Sequence, residues 1–370
     1  MRIGILVLSI GSFGTAGFYN LQETGLAKAL DSLGNETVVY KLVPASEERR
    51  KQAIEGTRHS MIHFLPSKQI GTNGVPNLKL LDRDLDLMIC FSDTQYAVPA
   101  VFRWAQKNGI PMLPYIGVLE SHSTKLWIKR LINLLFQRNL TVYRKCRCLV
   151  KTPTVGEQLA RKGVADISVI PVGLDLSMLK TDSHQCNIQM LKQKYGYSGE
   201  DKVLLFVGRF IEEKQPERMI EIFFEVRKQA PSCKLLMVGT GELKTTVDAK
   251  IHELGLNDAV QKIERIPNSD IWELYRMADA FVNLNQQEIF GMAILEAMYY
   301  GCKVVAWEAP GPSYIIENGV SGWLVRSNAE AAEKILDAAD LSEASERRIL
   351  TSFTWQSSAE KILSISGEKT

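Results

Sequence analysis

Two carboxylates, separated by seven residues, bracket a glycine in the stretch Glu288-Ile289-Phe290-Gly291-Met292-Ala293-Ile294-Leu295-Glu296-Ala297-Met298-Tyr299-Tyr300-Gly301. The apolar spacing predicts a loop that turns into a helix near Gly291. A helix start offers unpaired N–H groups and the positive end of its dipole, which suits a phosphate. Gly291 leaves the backbone open where a ligand's oxygens would approach. Glu296, as an ionised carboxylate, accepts hydrogen bonds and could hold sugar hydroxyls. The spacing is equally that of a loop glutamate followed by a solvated helix glutamate.

A second stretch, Phe206-Val207-Gly208-Arg209-Phe210-Ile211-Glu212-Glu213-Lys214, reads as a strand that ends at Gly208. It presents Arg209 and Lys214 at the carboxyl edge of a sheet, where open α/β folds bind ligands. Two cations there can neutralise a diphosphate as its charge develops, or they can be solvated surface charges. A glycine-rich turn follows the first strand, from Gly11 to Gly17. Its N–H groups could reach a phosphate, and a plain tight turn reads the same way.

These motifs resemble those of the family-4 retaining glycosyltransferases with the GT-B fold, and the resemblance spans nearly the whole chain. The family's E-x-F-G-x-x-x-x-E-A-x-x-x-G signature is matched by Glu288, Phe290, Gly291, Glu296, Ala297 and Gly301. Its G-R-x-x-x-x-K arrangement is matched by Gly208, Arg209 and Lys214. Weaker landmarks follow in the right order: Pro171-Val172-Gly173-Leu174-Asp175, Val238-Gly239-Thr240-Gly241, Gly311, Gly322 and Phe353-Thr354-Trp355.

The resemblance implies roles. Glu288 would lie against the donor sugar, Glu296 would hold the ribose, and Arg209 and Lys214 would bind the donor diphosphate. Gly14, Gly17, Gly208, Arg265, Phe290, Gly291 and Met292 complete the implied donor site. Many relatives end the strand near Tyr115-Ile116 with a histidine. Gly117 occupies that place here, and His122, five residues on, is the candidate that could swing in, or it is a structural histidine. Departures are visible too: Gln215 replaces the glycine after the lysine, Leu284-Asn285 replaces Pro-Ser, and Pro312-Ser313-Tyr314 follows Gly311.

The elements that must position these residues are legible. Strand, glycine-rich turn, helix and strand open the chain as a βαβ unit, and apolar runs near 85–91, 111–116, 148–150 and 167–170 continue a parallel pattern. A polar stretch, 176–200, reads as a linker. The rhythm then restarts with strands near 203–207, 234–238, 260–263, 280–283, 303–306 and 322–325. At 370 residues the chain exceeds one ordinary core. The expected fold is α/β, two Rossmann-like domains facing across a cleft. The N-terminal acceptor-side domain covers 1–180 and the nucleotide-sugar-binding domain 181–350. A last helix, 351–370, returns to the first domain.

The net charge of +2 hides an asymmetry: residues 1–180 carry 23 Lys and Arg against 14 Asp and Glu, the remainder 21 against 28. The basic half should meet something anionic. From Ser121 to Gly156 there is no acidic residue, while Lys125, Lys129, Arg130, Arg138, Arg144, Lys145, Arg147 and Lys151 are present. Trp127, Ile128, Leu131, Leu134 and Leu135 recur among them at helical spacing. Segment 124–151 therefore reads either as an anionic-membrane contact or as a helix packed on the sheet.

Six scattered cysteines make no metal pattern, and the opening residues read as a strand, not a leader, which suits a cytoplasmic protein, peripheral at the membrane face. The expected function is retaining transfer of a hexosyl or N-acetylhexosaminyl group from a UDP- or GDP-sugar. The acceptor would be a glycan or lipid-linked hydroxyl, as in polysaccharide biosynthesis, with no metal, other cofactor or nucleic acid. A sugar-nucleotide epimerase and a non-catalytic, membrane-bound sugar-nucleotide sensor are the alternatives. A Rossmann oxidoreductase is disfavoured because G-x-G-x-x-G spacing is absent and no acidic residue ends the second strand.

Overall fold

The computed structural model describes residues 1–10, 21–71, 73–119, 126–180, 183 and 186–367. The chain forms two compact units, Met1–Gly173 with Trp355–Thr370, and Leu174–Thr354.

In the first unit the strands are β1 (Arg2–Val7), β2 (Glu36–Pro44), β3 (Arg50–Ala53), β4 (Met61–Ile70), β5 (Asn73–Val75), β6 (Leu87–Phe91), β7 (Met112–Ile116), β8 (Cys148–Val150) and β9 (Ile167–Val169). The helices are α1 (Gln22–Ser32), α2 (Val98–Lys107), α3 (Leu126–Tyr143), α4 (Pro153–Arg161) and, from the end of the chain, α13 (Trp355–Gly367). The order across the sheet is β3-β4-β2-β1-β6-β7-β8-β9, with β5 paired to β4. All pairs are parallel except β3 with β4 and β5 with β4.

Ile3, Ile5 and Leu6 are fully buried, as expected of a strand covered on both faces. Sequence patterning misses β3, β4 and β5. β3 is exposed along its whole length, and β4 carries His63 and Pro66, so neither shows a clean period. α13 packs on α1 so closely that a Cβ at Gly25 would stand 2.4 Å from the Trp355 indole. Ser358 Oγ donates to the Pro171 carbonyl at 2.8 Å and fastens the same helix.

The second unit contains α5 (Ile188–Lys194), β10 (Lys202–Val207), α6 (Pro216–Gln229), β11 (Cys233–Val238), α7 (Lys244–Glu253), β12 (Val260–Ile263), α8 (Ile271–Met277), β13 (Ala280–Asn283), α9 (Met292–Tyr299), β14 (Val304–Trp307), α10 (Pro310–Ile315), β15 (Trp323–Val325), α11 (Asn328–Leu336) and α12 (Ser342–Ser352). Its sheet is parallel throughout, in the order β12-β11-β10-β13-β14-β15. Numbered from β10, this is the 3-2-1-4-5-6 order of a Rossmann fold, with its reversal between β10 and β13.

The stretch expected as a linker holds a helix instead. Asn187 Oδ1 caps α5 by accepting from the N–H groups of Gln189 and Met190. Lys194 and Tyr195 both bind Glu273 of α8, at 2.5 and 2.6 Å. Polar side chains here satisfy one another on the surface of the second unit, and their polarity reads in sequence as a break. The chain passes between units at residues 173–174 and again at 354–355.

Candidate functional site

The reversal of strand order puts two loops of the second unit side by side, one after β10 and one after β13. The first begins at Gly208, whose N–H donates to the Val238 carbonyl at 2.9 Å. Its path is set by the turn after β11. A Cβ at Gly239 would lie 2.0 Å from the Gly208 carbonyl oxygen, and one at Gly241 would lie 2.4 Å from that of Phe210. Glycine is required at both places because backbone meets backbone. Arg209, carried on this loop, is exposed, and its guanidinium has no partner among the described residues.

The loop then makes a 3-10 turn, Glu212–Lys214, and Gln215 takes the left-handed conformation at φ 55°, ψ 47°. That conformation is one that glycine adopts without strain and other residues do not. Gln215 meets the strain in part by donating from Nε2 to the Glu212 carbonyl at 2.7 Å. Pro216 opens α6 directly afterwards, its fixed φ suited to a first helical position.

The second loop brings Glu288 to Lys214, Oε2 to Nζ 2.9 Å, with the two side chains 16% and 26% exposed. Glu213 Oε1 is 3.7 Å from the same ammonium. Asn285, only 1% exposed, donates from Nδ2 to Glu288 Oε2 at 3.2 Å and to Glu213 Oε1 at 3.0 Å. Phe290 is buried beside Phe353, with ring centroids 6.4 Å apart. Gly291, at φ 102°, ends the loop and begins α9 with no side chain capping it. Met292 is the first residue of that helix.

Glu296 stands in a different environment, buried in α9, where Tyr275 Oη donates to its Oε2 at 3.2 Å. Tyr300 stacks on Tyr275, with centroids 6.2 Å apart and planes 12° from parallel. Burial pushes the Glu296 carboxyl up to about 8, and the Tyr275 hydrogen bond offsets this only in part. At neutral pH it is largely the neutral acid. It can therefore donate one hydrogen bond as well as accept, unlike the acceptor-only carboxylate read from the sequence.

The structure thus brings Lys214 and Glu288 into direct contact, with Gly208, Arg209, Phe290 and Gly291 on the same two loops and Met292 at the start of α9. Arg265 is not brought to them by any described contact. It is exposed after β12, an outer strand two positions from β10, or roughly 10 Å of sheet. Gly14, Gly17 and His122 lie outside the described residues. Asn285, Glu213 and Tyr275 carry no sequence signal of a role. Asn285 registers there only as a departure from the expected serine.

The chain resembles known proteins in sequence and in fold. Residues 187–352 match the model of the family described as glycosyl transferases group 1. That match falls wholly within the second unit and spans most of it. Among curated relatives of the chain, the alpha-monoglucosyldiacylglycerol synthase of Acholeplasma laidlawii is 23% identical over 190 residues, 51% of this chain and 48% of that protein. The D-inositol 3-phosphate glycosyltransferase of Paenarthrobacter aurescens is 30% identical over 228 residues, 58% of this chain and 55% of that protein.

The chain spans about half the length of the curated relatives it matches. Among solved structures, Anabaena HepE in complex with UDP and glucose is similar over 99% of both chains at 17% identity and a TM-score of 0.69. A glycosyltransferase from Rickettsia africae covers 99% of this chain at 17% identity and a TM-score of 0.73. Both units are therefore Rossmann-like, which is the GT-B fold of those structural neighbours. Among the described residues no group of His, Cys, Asp and Glu is arranged to hold a metal ion, and no helix is long and apolar enough to cross a membrane.

Proposed function

We propose that this chain is a glycosyltransferase that takes a sugar from a nucleotide diphosphate donor, UDP- or GDP-linked, and places it on an acceptor hydroxyl with retention at the anomeric carbon. The observation that carries the reading is the Lys214–Glu288 pair, set beside Arg209 and the uncapped start of α9 where the strand order reverses. Rossmann sheets take their ligands at that point, and this one offers two cations and a helix N-terminus to an anionic group.

In the proposed reaction the bond from the anomeric carbon to the diphosphate oxygen breaks, a bond to the acceptor oxygen forms on the same face, and the proton of the acceptor hydroxyl passes to the leaving diphosphate. Charge grows on the leaving diphosphate. Arg209, Lys214 and the α9 dipole stabilise it, so the protein's own groups supply what a metal ion supplies elsewhere. Glu288 orients the donor sugar, and Glu296 meets the ribose hydroxyls as donor and acceptor.

Relatives named for a diacylglycerol product and for an inositol phosphate support an acceptor that is amphipathic or anionic. In α3, Leu134 is 68% exposed while Phe136 and Leu140 are buried, so one face packs inward and an apolar residue of the basic segment faces water. That supports peripheral attachment of the first unit to an anionic membrane and a lipid-linked acceptor. Binding to vesicles with and without 30% (roughly) anionic lipid tests the attachment; equal partition to both would remove it.

The donor reading is tested by calorimetric titration with UDP, GDP and a panel of their sugars, followed by analysis of product with and without acceptor. Binding and transfer with an unchanged anomeric configuration support it. Epimerisation of the donor without an acceptor, or no binding at all, overturns it.

A further inference from the structure

The side chain between the two acidic residues of this site has a role that the sequence conceals. Asn285 is almost fully enclosed, and both polar atoms of its side chain are hydrogen-bonded. One amide group, Nδ2, faces Glu213 Oε1 at 3.0 Å and Glu288 Oε2 at 3.2 Å. Its Oδ1 accepts from the Gln287 N–H at 2.9 Å, and its own N–H donates to Asn283 Oδ1 at 3.1 Å. The orientation of the amide is fixed by this pattern. Turned over, it would set an oxygen against two carboxylates and an NH2 against a backbone N–H.

Glu288 therefore has two partners, a cation and an amide. In the free protein Lys214 neutralises it at 2.9 Å. The diphosphate of the donor, with its greater charge, competes for that same ammonium. When Lys214 turns to the phosphates, Glu288 would be left partly buried and uncompensated, which is costly without another donor. The Asn285 amide is that donor, and its second hydrogen ties Glu213 Oε1 in place 3.7 Å from the same ammonium.

We infer that Asn285 is a positioning residue for Glu288, a clamp that keeps the carboxylate aimed while Lys214 exchanges it for the donor diphosphate. This rests on the donor reading of the site given above. A serine at this position has one donor and too short a reach to serve both carboxylates. An aspartate keeps the shape and sets a third carboxylate against the other two.

The test uses the full chain with UDP-glucose, UDP-N-acetylglucosamine and GDP-mannose, following donor hydrolysis so that no acceptor need be known. Asn285→Ser is expected to bind UDP within about threefold of the wild type and to lose at least about tenfold in kcat, the size of one charge-assisted hydrogen bond. The loss should fall on kcat and leave KM for the donor within about threefold, because the aim of Glu288 changes and the diphosphate cations do not. A merely structural role would move both constants together with stability. Asn285→Asp is expected to weaken UDP binding instead, and to recover it in part as the pH is lowered. If Asn285→Ser melts without cooperativity, the isosteric Asn285→Asp decides.

A wild-type chain that binds neither UDP nor GDP and hydrolyses none of the donors would defeat the donor reading and this inference with it. A wild type that does both, with Asn285→Ser and Asn285→Asp matching its kcat and KM, defeats this inference alone.

Discussion

The backbone N–H of Gly311 donates to the carbonyl of Glu288 at 2.9 Å, and a Cβ at Gly311 would stand 2.2 Å from the carbonyl oxygen of Phe290. The loop that carries the site's carboxylate is thus laid directly on the first turn of α10. There is no room between them for one methyl group.

Gly311→Ala should therefore push the 288–290 segment away and break its anchoring hydrogen bond. A loss of about 1–3 kcal/mol in urea denaturation is expected, the usual cost of overpacking. Donor turnover should fall by more than stability alone explains, since Glu288 shifts with its backbone. An alanine variant with unchanged stability and turnover would show that the two loops are not coupled.

Arg209 and Lys214 should separate in their effects. Arg209 is exposed and has no described partner, so Arg209→Ala is expected to leave stability within about 0.5 kcal/mol. Its cost should appear in turnover, on the order of 100-fold or more if the guanidinium meets the leaving diphosphate. Lys214→Ala removes the cation from a half-buried carboxylate and should lower stability by roughly 1–2 kcal/mol as well. Pairing it with Glu288→Gln in a double-mutant cycle measures the coupling. A coupling near zero would mean that the 2.9 Å contact is incidental.

Glu296 gives the stability a pH dependence with a definite sign. Burial raises its folded value to about 8, against an ordinary value of 4.5. Below about 4.5 both folded and unfolded chains hold the proton and the neutral carboxyl is buried without penalty. As the pH rises through the window to about 8, the unfolded chain releases the proton and the folded chain retains it, so stability falls. Glu296→Gln, which mimics the neutral acid, should remove this contribution. Denaturation curves at pH 5, 7 and 9 should show the variant gaining on the wild type at each step. A constant difference across the three would contradict the assignment.

Gln215 offers a smaller test. Its left-handed backbone costs roughly 1–2 kcal/mol, and glycine there relieves that strain while adding freedom to the unfolded chain. Gln215→Gly should come out neutral to about 1 kcal/mol more stable by urea denaturation, with turnover retained. A clear loss of stability would show that the Gln215–Glu212 hydrogen bond outweighs the strain.

The sequence by itself determined the two parallel sheets, because strands buried on both faces must read as unbroken apolar runs such as Ile3–Leu6 and Leu204–Phe206, and because glycine is compulsory where loops touch backbone to backbone, as at Gly239 and Gly311. It also marked Arg209 and Lys214 by their spacing from Gly208, and Glu288 and Glu296 by theirs from Gly291, in motifs that resemble a known family. It did not show β3–β5, whose exposed or interrupted faces have no period, nor α5, whose polar residues are satisfied by one another. Only the tertiary structure decided the partners. Lys214 meets Glu288 across 74 positions of chain, Asn285 reaches Glu213 across 72, and Tyr275 reaches Glu296 across 21. A residue's charge and its reach are written locally, but its protonation and its neighbour are set by burial and by which strands lie side by side.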